Sequence, residues 1–238
     1  DLRTYRGLGD VYKRQIFNLH ADEGKLRKII SESYPDLQIK KITKTNYNDL
    51  YEIFLGDQIV YSDESFSFLI IEGRLVNPIT RVDLTSARLE ELTRVNFNSL
   101  PFEMAIKVVK GNGERKIAVF SDIDCPFCKK FEKETIVEMN NITIYNFLFP
   151  LDIHPKAKAK SSQVWCALDR TEAWNNAMVY DELADNDGNC DTPINDTIKL
   201  ARDLGVTSTP TIILSSGKRL PGALSAEDLE KYLDGTYD

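Results

Sequence analysis

Apolar and polar positions alternate along the chain in two regimes, with short period-two runs first and a longer mixture of strand-like and helix-like segments after them. Within Asp22–Ser31, Leu26, Ile29 and Ile30 share a helical face, and Pro35 closes the segment. Strand-like runs follow at Leu37–Ile42, at Leu50–Leu55 meeting Gln58–Tyr61 across Gly56-Asp57, and at Phe66–Ile71 turning at Glu72-Gly73 into Arg74–Val76. Together they predict a small α+β unit of about sixty residues, a size that buries too little surface to be comfortable alone and gains from a partner.

Asp83–Val95 then reads as a linker helix spacing two domains, with Leu89, Leu92 and Val95 as an incomplete apolar stripe and Pro101 breaking the pattern. Met104–Val109 opens a second domain and is joined through Gly111-Asn112-Gly113 to Lys116–Phe120, a short apolar run suited to a buried strand. The spacing predicts a helix over Cys128–Val137 with Phe131 and Val137 toward the core, then a strand at Ile142–Phe149. Pro150 to about Leu200 reads as mostly helical, with a helix from Ser161 to Trp174 and an interruption at Asp185–Asn189. The chain closes with a strand at Thr211–Leu214, a Ser216-Gly217 turn, Lys218–Leu220, and a helix over Ser225–Leu233 with Ser225 as N-cap and Asp228 in the capping-box position.

Composition sets outer limits. The 238 residues are 42% hydrophobic, which is globular, and the formal charge of -7 without a dense Lys/Arg run offers no nucleic-acid surface. No stretch has the length of apolar residues that a transmembrane helix requires. Four cysteines, two closely spaced and two far apart, suit an oxidising compartment, and the periplasm of a Gram-negative bacterium is the expected location. Residues 1–15 are polar and charged, with no apolar signal-peptide core. Asp10–Gln15 matches a translated transposase adapter used in shotgun sequencing, GAT-GTG-TAT-AAG-AGA-CAG, so residues 1–15 are expected to be a non-native tail replacing the true N-terminus.

The candidate chemistry lies where the apolar run ending at Phe120 meets Cys125-Pro126-Phe127-Cys128. Pro126 fits the first position of the following helix, which places Cys125 at the helix N-terminus. Unpaired backbone N–H groups there favour a thiolate, so Cys125 is the expected nucleophile and Cys128, one turn further in, the resolving thiol. Zinc also uses this spacing but needs two more ligands, and Cys166 and Cys190 form no second knuckle. That distant pair is expected to be a structural disulfide fastening a helical insertion, the alternative being two reduced buried thiols. Asp122 and Asp124 would oppose a nearby thiolate and are expected to point to solvent. His20 and His154, the only histidines, sit in no cysteine or carboxylate cluster, and His154 reads as a loop or helix-start residue. No metal or cofactor is expected.

A second segment, Gly205-Val206-Thr207-Ser208-Thr209-Pro210 before an apolar strand, completes a pattern that resembles the thioredoxin superfamily. The alternative there is an ordinary strand-start proline. Adding Val119–Lys130, the phrase Trp165-Cys166-Ala167-Leu168-Asp169-Arg170 with Trp174, and Cys190-Asp191, the chain is similar over roughly residues 22–235 to the DsbC/DsbG family of periplasmic disulfide isomerases. The resemblance implies a cystatin-like α+β dimerisation domain at residues 16–80, a linker helix region at 81–103, and a thioredoxin-like catalytic domain with a helical insertion at 104–238. It implies a cis-proline at Pro210, with Thr209, Pro210, Pro126 and Phe127 as substrate contacts, and a Cys166–Cys190 structural bridge. Phe127 is also readable as plain surface packing. It further implies a V-shaped homodimer with a wide uncharged, chaperone-like cleft, misfolded secreted proteins with non-native disulfides as substrates, and a membrane reductase of DsbD type that keeps Cys125 and Cys128 reduced. The dipeptide Pro126-Phe127 stands nearer the Pro-Tyr of DsbG than the Gly-Tyr of the best-known isomerase. This keeps open a thiol reductase that protects single cysteines from sulfenylation, a monomeric oxidase, or a non-catalytic chaperone or zinc-bound module.

Overall fold

A computed structural model describes residues 22–237, so the expectations for residues 1–15 and for His20 lie outside the described residues. The chain divides between Leu92 and Thr93 into two compact units.

In the first unit, helix α1 (residues 22–33) sets Leu26 and Ile30 against Ile42, Tyr51, Ile53 and Val60 of an antiparallel sheet. Its strands are β1 (Lys41–Lys44), β2 (Tyr51–Phe54) and β3 (Ile59–Ser62), paired in the order β1-β2-β3. The opposite face carries Phe54, Ile59 and Tyr61, covered by Leu75 and by Leu89 and Leu92 of α2 (Leu84–Thr93). Both faces of β2 are therefore occupied, which is why the run at residues 51–54 lacks a polar side; its one charged residue, Glu52, is held by Arg88 Nε at 3.0 Å. Val95, placed in the same stripe by spacing, is buried in the second unit's core instead.

Two expectations for this unit are corrected. The run placed at Leu37–Ile42 meets β2 only from Lys40 onward, where Lys40 N donates to Phe54 O at 2.9 Å, because Leu37 N donates to Tyr34 O in a turn that follows α1. Phe66–Ile71 and Arg74–Val76 form no hairpin and make only the isolated bridges Tyr61–Ile70 and Val76–Asp83. The cause is local: the Asp63 carboxylate accepts Ser67 N at 2.7 Å and the hydroxyls of Ser65 and Ser67, and Phe66 takes a left-handed φ of 57°, which turns the chain out of extended geometry. Phe68, Ile70, Ile71, Val76, Ile79 and Val82 are consequently left exposed.

The second unit is built on a five-stranded sheet, order β4-β6-β5-β7-β8, with strands β4 (Ile106–Lys110), β5 (Arg115–Ser121), β6 (Ile142–Leu148), β7 (Thr211–Leu214) and β8 (Arg219–Pro221). β5 and β6 are parallel, with Ser121 opposite Leu148, and the other pairings are antiparallel. Central β5 is apolar on both faces: Ile117 and Val119 pack with Phe131 and Leu229, while Ala118 and Phe120 pack with Phe147 and Ala201. The sheet is flanked by α3 (Pro126–Lys130), α4 (Ala157–Trp165), α5 (Arg170–Asn175), α6 (Ile194–Asp203) and α7 (Ala226–Leu233). At α7 the Ser225 hydroxyl accepts Asp228 N at 3.1 Å and donates to its carboxylate at 2.8 Å.

Two helical expectations also change. α3 widens into a π-helical turn at Phe131–Ile136, so its apolar face runs from Phe131 to Ile136, five residues on, and Val137 is 62% exposed. The helix expected over Ser161–Trp174 breaks after Trp165: Asp169 caps α5 by accepting Glu172 N at 2.9 Å, and Arg170 stacks on the Trp165 ring at 3.9 Å. The π-helical turn carries a buried carboxyl group. Glu132 accepts Trp174 Nε1 at 3.1 Å, and Lys110 Nζ donates to the carbonyls of Ile136 and Val137 at the turn's end.

Burial pushes the Glu132 carboxyl up to about 7, so below that pH it is held as the neutral acid. A raised carboxyl pKa contributes stability below the unfolded value, near 4.5, and that contribution is lost as pH rises toward 7. Glu132→Gln, which keeps an acceptor for Trp174, is expected to gain on the order of 2 kcal/mol relative to wild type between pH 4.5 and 7.5 in urea titrations. Parallel stability curves would contradict this assignment.

Candidate active site

β5 ends in buried Ser121, and the chain turns through Asp122-Ile123-Asp124, closed by Cys125 N donating to Asp122 O at 3.1 Å. Cys125 is the N-cap of α3, with extended backbone (φ -73°, ψ 120°), and Pro126 starts the helix where a missing N–H leaves no bond unmade. Cys128 faces inward and is fully buried, while Cys125 keeps 4% of its surface exposed at the turn. Both sulfurs are free, and they share an apolar cluster with Ile123, Leu148, Trp165 and Trp174.

The loop before β7 lies against them. The Thr209–Pro210 peptide is cis, and Cys125 Sγ stands 3.5 Å from Thr209 O. Thr211 Oγ1 donates to Ser208 O at 2.7 Å and Gly222 N to Pro210 O at 2.8 Å, which fixes the loop on both sides of the proline. An open groove of ≈ 1090 Å³ is walled by Phe127, Lys130, Ser208, Thr209 and residues 222–227, with neither sulfur in its lining. Phe127, at 63% exposure, stands at its edge. The fold thus brings Cys125, Pro126, Phe127, Cys128, Thr209 and Pro210 together. Cys166, at the C-terminal end of α4, is bonded to Cys190 in the loop between α5 and α6, with Cα atoms 5.8 Å apart.

The two thiols are driven apart in acidity. A hydrogen bond from the Cys128 thiol is the largest influence lowering Cys125, whose pKa falls to about 5 against the opposing effect of its own burial. Thr209 and the backbone N–H groups of Cys128 and Phe127 act in the same direction. Burial in the apolar cluster, followed by the hydrogen bond to the Cys125 sulfur, pushes the Cys128 thiol up. Near neutral pH the site therefore favours the thiolate at Cys125 and the thiol at Cys128.

The flanking aspartates are not turned to solvent as expected. Asp122 is fully buried and accepts Asp124 N at 2.7 Å, Leu151 N at 2.6 Å and His154 Nδ1 at 2.9 Å. Asp124 pairs with Lys160 of α4, which offsets its charge. His154, read from sequence as an ordinary loop residue without a neighbouring carboxylate, is thus bonded to a buried one, and that bond raises its pKa. The signal for this pair was topological: in a parallel β5–β6 pair the residues just past both strands emerge at the same edge of the sheet. Among the described residues no cluster of three or more His, Cys, Asp or Glu side chains could hold a metal ion, and no helix is long and apolar enough to cross a membrane.

Comparison with known proteins places this geometry. Residues 102–236 match the thioredoxin-like domain model, and residues 17–86 match that of the disulfide bond isomerase protein N-terminal domain. The chain is 36% identical over 213 residues, 90% of its length and 74% of the relative's, to a probable thiol:disulfide interchange protein DsbC of Bordetella pertussis. It is 33% identical to the thiol:disulfide interchange protein DsbC of Escherichia coli K12 over 171 residues, 69% of each chain. The crystal structure of a disulfide interchange protein from Neisseria gonorrhoeae, 36% identical, superposes with a TM-score of 0.55 over 57% of this chain and 97% of that one. The chain belongs to the DsbC family of thiol:disulfide interchange proteins and is a thiol:disulfide oxidoreductase.

Proposed function

We propose that the protein is a periplasmic disulfide isomerase in which Cys125 is the nucleophile, Cys128 the resolving thiol, and the groove beside Thr209 and Pro210 the seat of an extended substrate segment. The observation that carries this reading is Cys125 at the N-terminus of α3, its Sγ 3.5 Å from Thr209 O of the cis Thr209–Pro210 peptide and its neighbour Cys128 fully buried, an arrangement that favours the thiolate at Cys125 and the thiol at Cys128. The Cys125 thiolate attacks a non-native disulfide, forming one S–S bond and releasing one substrate thiolate. Isomerisation follows when another substrate thiolate attacks the mixed disulfide, returns Cys125 as thiolate and leaves a rearranged bond, with no net electron transfer. If no such thiol arrives, Cys128 attacks Cys125, the substrate leaves two electrons reduced, and the 125–128 disulfide requires a membrane thiol reductase of DsbD type to restore it.

Misfolded secreted proteins with wrong disulfides are the substrate class this chemistry serves, and an oxidising compartment accounts for the Cys166–Cys190 bridge. The exposed apolar run from Phe68 to Val82 supports homodimerisation through the first unit, because a second copy would cover side chains such as Ile79, at 90% exposure. The same atoms could serve a DsbG-like reductase of single sulfenylated cysteines, a reading that rests on Pro126-Phe127, and a disulfide-scrambled substrate separates the two.

Refolding of scrambled ribonuclease is expected to fall by at least about a hundredfold in Cys125→Ala, whereas Cys128→Ala should accumulate a substrate mixed disulfide visible on non-reducing gels. Wild-type refolding by Cys125→Ala would overturn the assignment. Sedimentation of the full chain is expected to give a dimer, and Ile79→Asp with Ile71→Asp a monomer that keeps Cys125 reactivity. A monomeric wild type would refute the dimer.

A further inference from the structure

Asp122 presents a problem that the disulfide chemistry does not by itself resolve. Its carboxylate is fully buried three residues before Cys125, where an uncompensated negative charge would oppose ionisation of that sulfur. Its three donors differ in kind: Asp124 N and Leu151 N are backbone amides, which hold the turn after β5 against the segment after β6 but carry no charge. His154 Nδ1, at 2.9 Å, is the donor that can also bring a positive charge. Its side chain is 22% exposed, so the proton can be exchanged with water.

We propose that His154 is a positioning residue for the thiolate: as an imidazolium bonded to Asp122 it cancels the buried carboxylate, so that Cys125 ionises beside a neutral pair. Other charges around the ring do not do this work. On the cysteine side, Asp124 is already paired with Lys160. On the far side His154 lines a cleft of ≈ 570 Å³ with Asp152 of its own loop, Lys158 of α4, and Lys199, Arg202 and Asp203 of α6. These three cations and two carboxylates largely offset one another. The hydrogen bond to Asp122 is the leading influence favouring the imidazolium, and the Cys125 thiolate adds to it through space. Coupling between charges is reciprocal, so whatever the thiolate does for His154, His154 does for the thiolate.

The inference rests on Cys125 being the ionised sulfur, and it is tested on an observable that needs no isomerase substrate. The His154 imidazole of the full chain, titrated by NMR, is expected to have a midpoint higher by about half a pH unit with the dithiol reduced than with it oxidised. In His154→Gln, which keeps a donor for Asp122, the pH midpoint for Cys125 alkylation should move up by a similar amount while the melting temperature at pH 8 stays within about two degrees. An identical His154 midpoint in both redox states would overturn the proposal. So would an unmoved alkylation midpoint in His154→Gln, whatever happened to its stability. Failure of the nucleophile assignment would look different: wild-type Cys125 would then titrate like a free cysteine.

Discussion

The chemistry of this site depends on one interaction, the effect that the buried Cys128 thiol has on the ionisation of the neighbouring Cys125 sulfur. Its strength comes from its surroundings. Ile123, Leu148, Trp165 and Trp174 exclude water from the inner sulfur, so Cys128 has little reason to ionise and its proton is available to its neighbour. Cys125 sits at the rim of the same cluster, where an anion can still meet solvent and the first N–H groups of α3. Two chemically identical side chains, one turn apart, acquire opposite roles because one is inside and the other is at the edge.

The scaffold makes that difference reproducible. β5 is buried on both faces and parallel to β6, so its end is fixed in depth, and the turn it feeds is tied to the segment after β6 through Asp122, Leu151 and Phe149. The loop before β7 then closes the sulfurs from the other side, with Thr209 O at 3.5 Å. The Cys166–Cys190 bond restrains the loop that joins α5 and α6, and Trp165, beside Cys166, packs in the apolar cluster that holds Cys125 and Cys128.

Much of this was legible in the residues. The Cys125–Cys128 spacing after an apolar strand and the Thr-Pro before another carried the fold, because each local pattern and the global topology agree there. What sequence periodicity missed has specific causes. The π-helical turn changes the repeat from which a core face is counted, so Ile136 rather than Val137 turns inward. The Asp63 turn diverts a run that alternates like a strand. The Asp122–His154 pair escapes a local reading because a buried carboxylate is defined by donors from a segment some thirty residues away in sequence, and nothing in the local pattern of either residue reveals the other.

The central claim is that Cys128 makes Cys125 a thiolate at neutral pH. Thiolate absorbance near 240 nm, titrated in the fully reduced protein and in Cys128→Ala, tests it directly. The account expects a wild-type transition at about 5 that moves upward toward the ordinary cysteine range when the donor is removed. A transition at the same pH in both proteins, or a wild-type transition between 8 and 9 as for a free thiol, would contradict it.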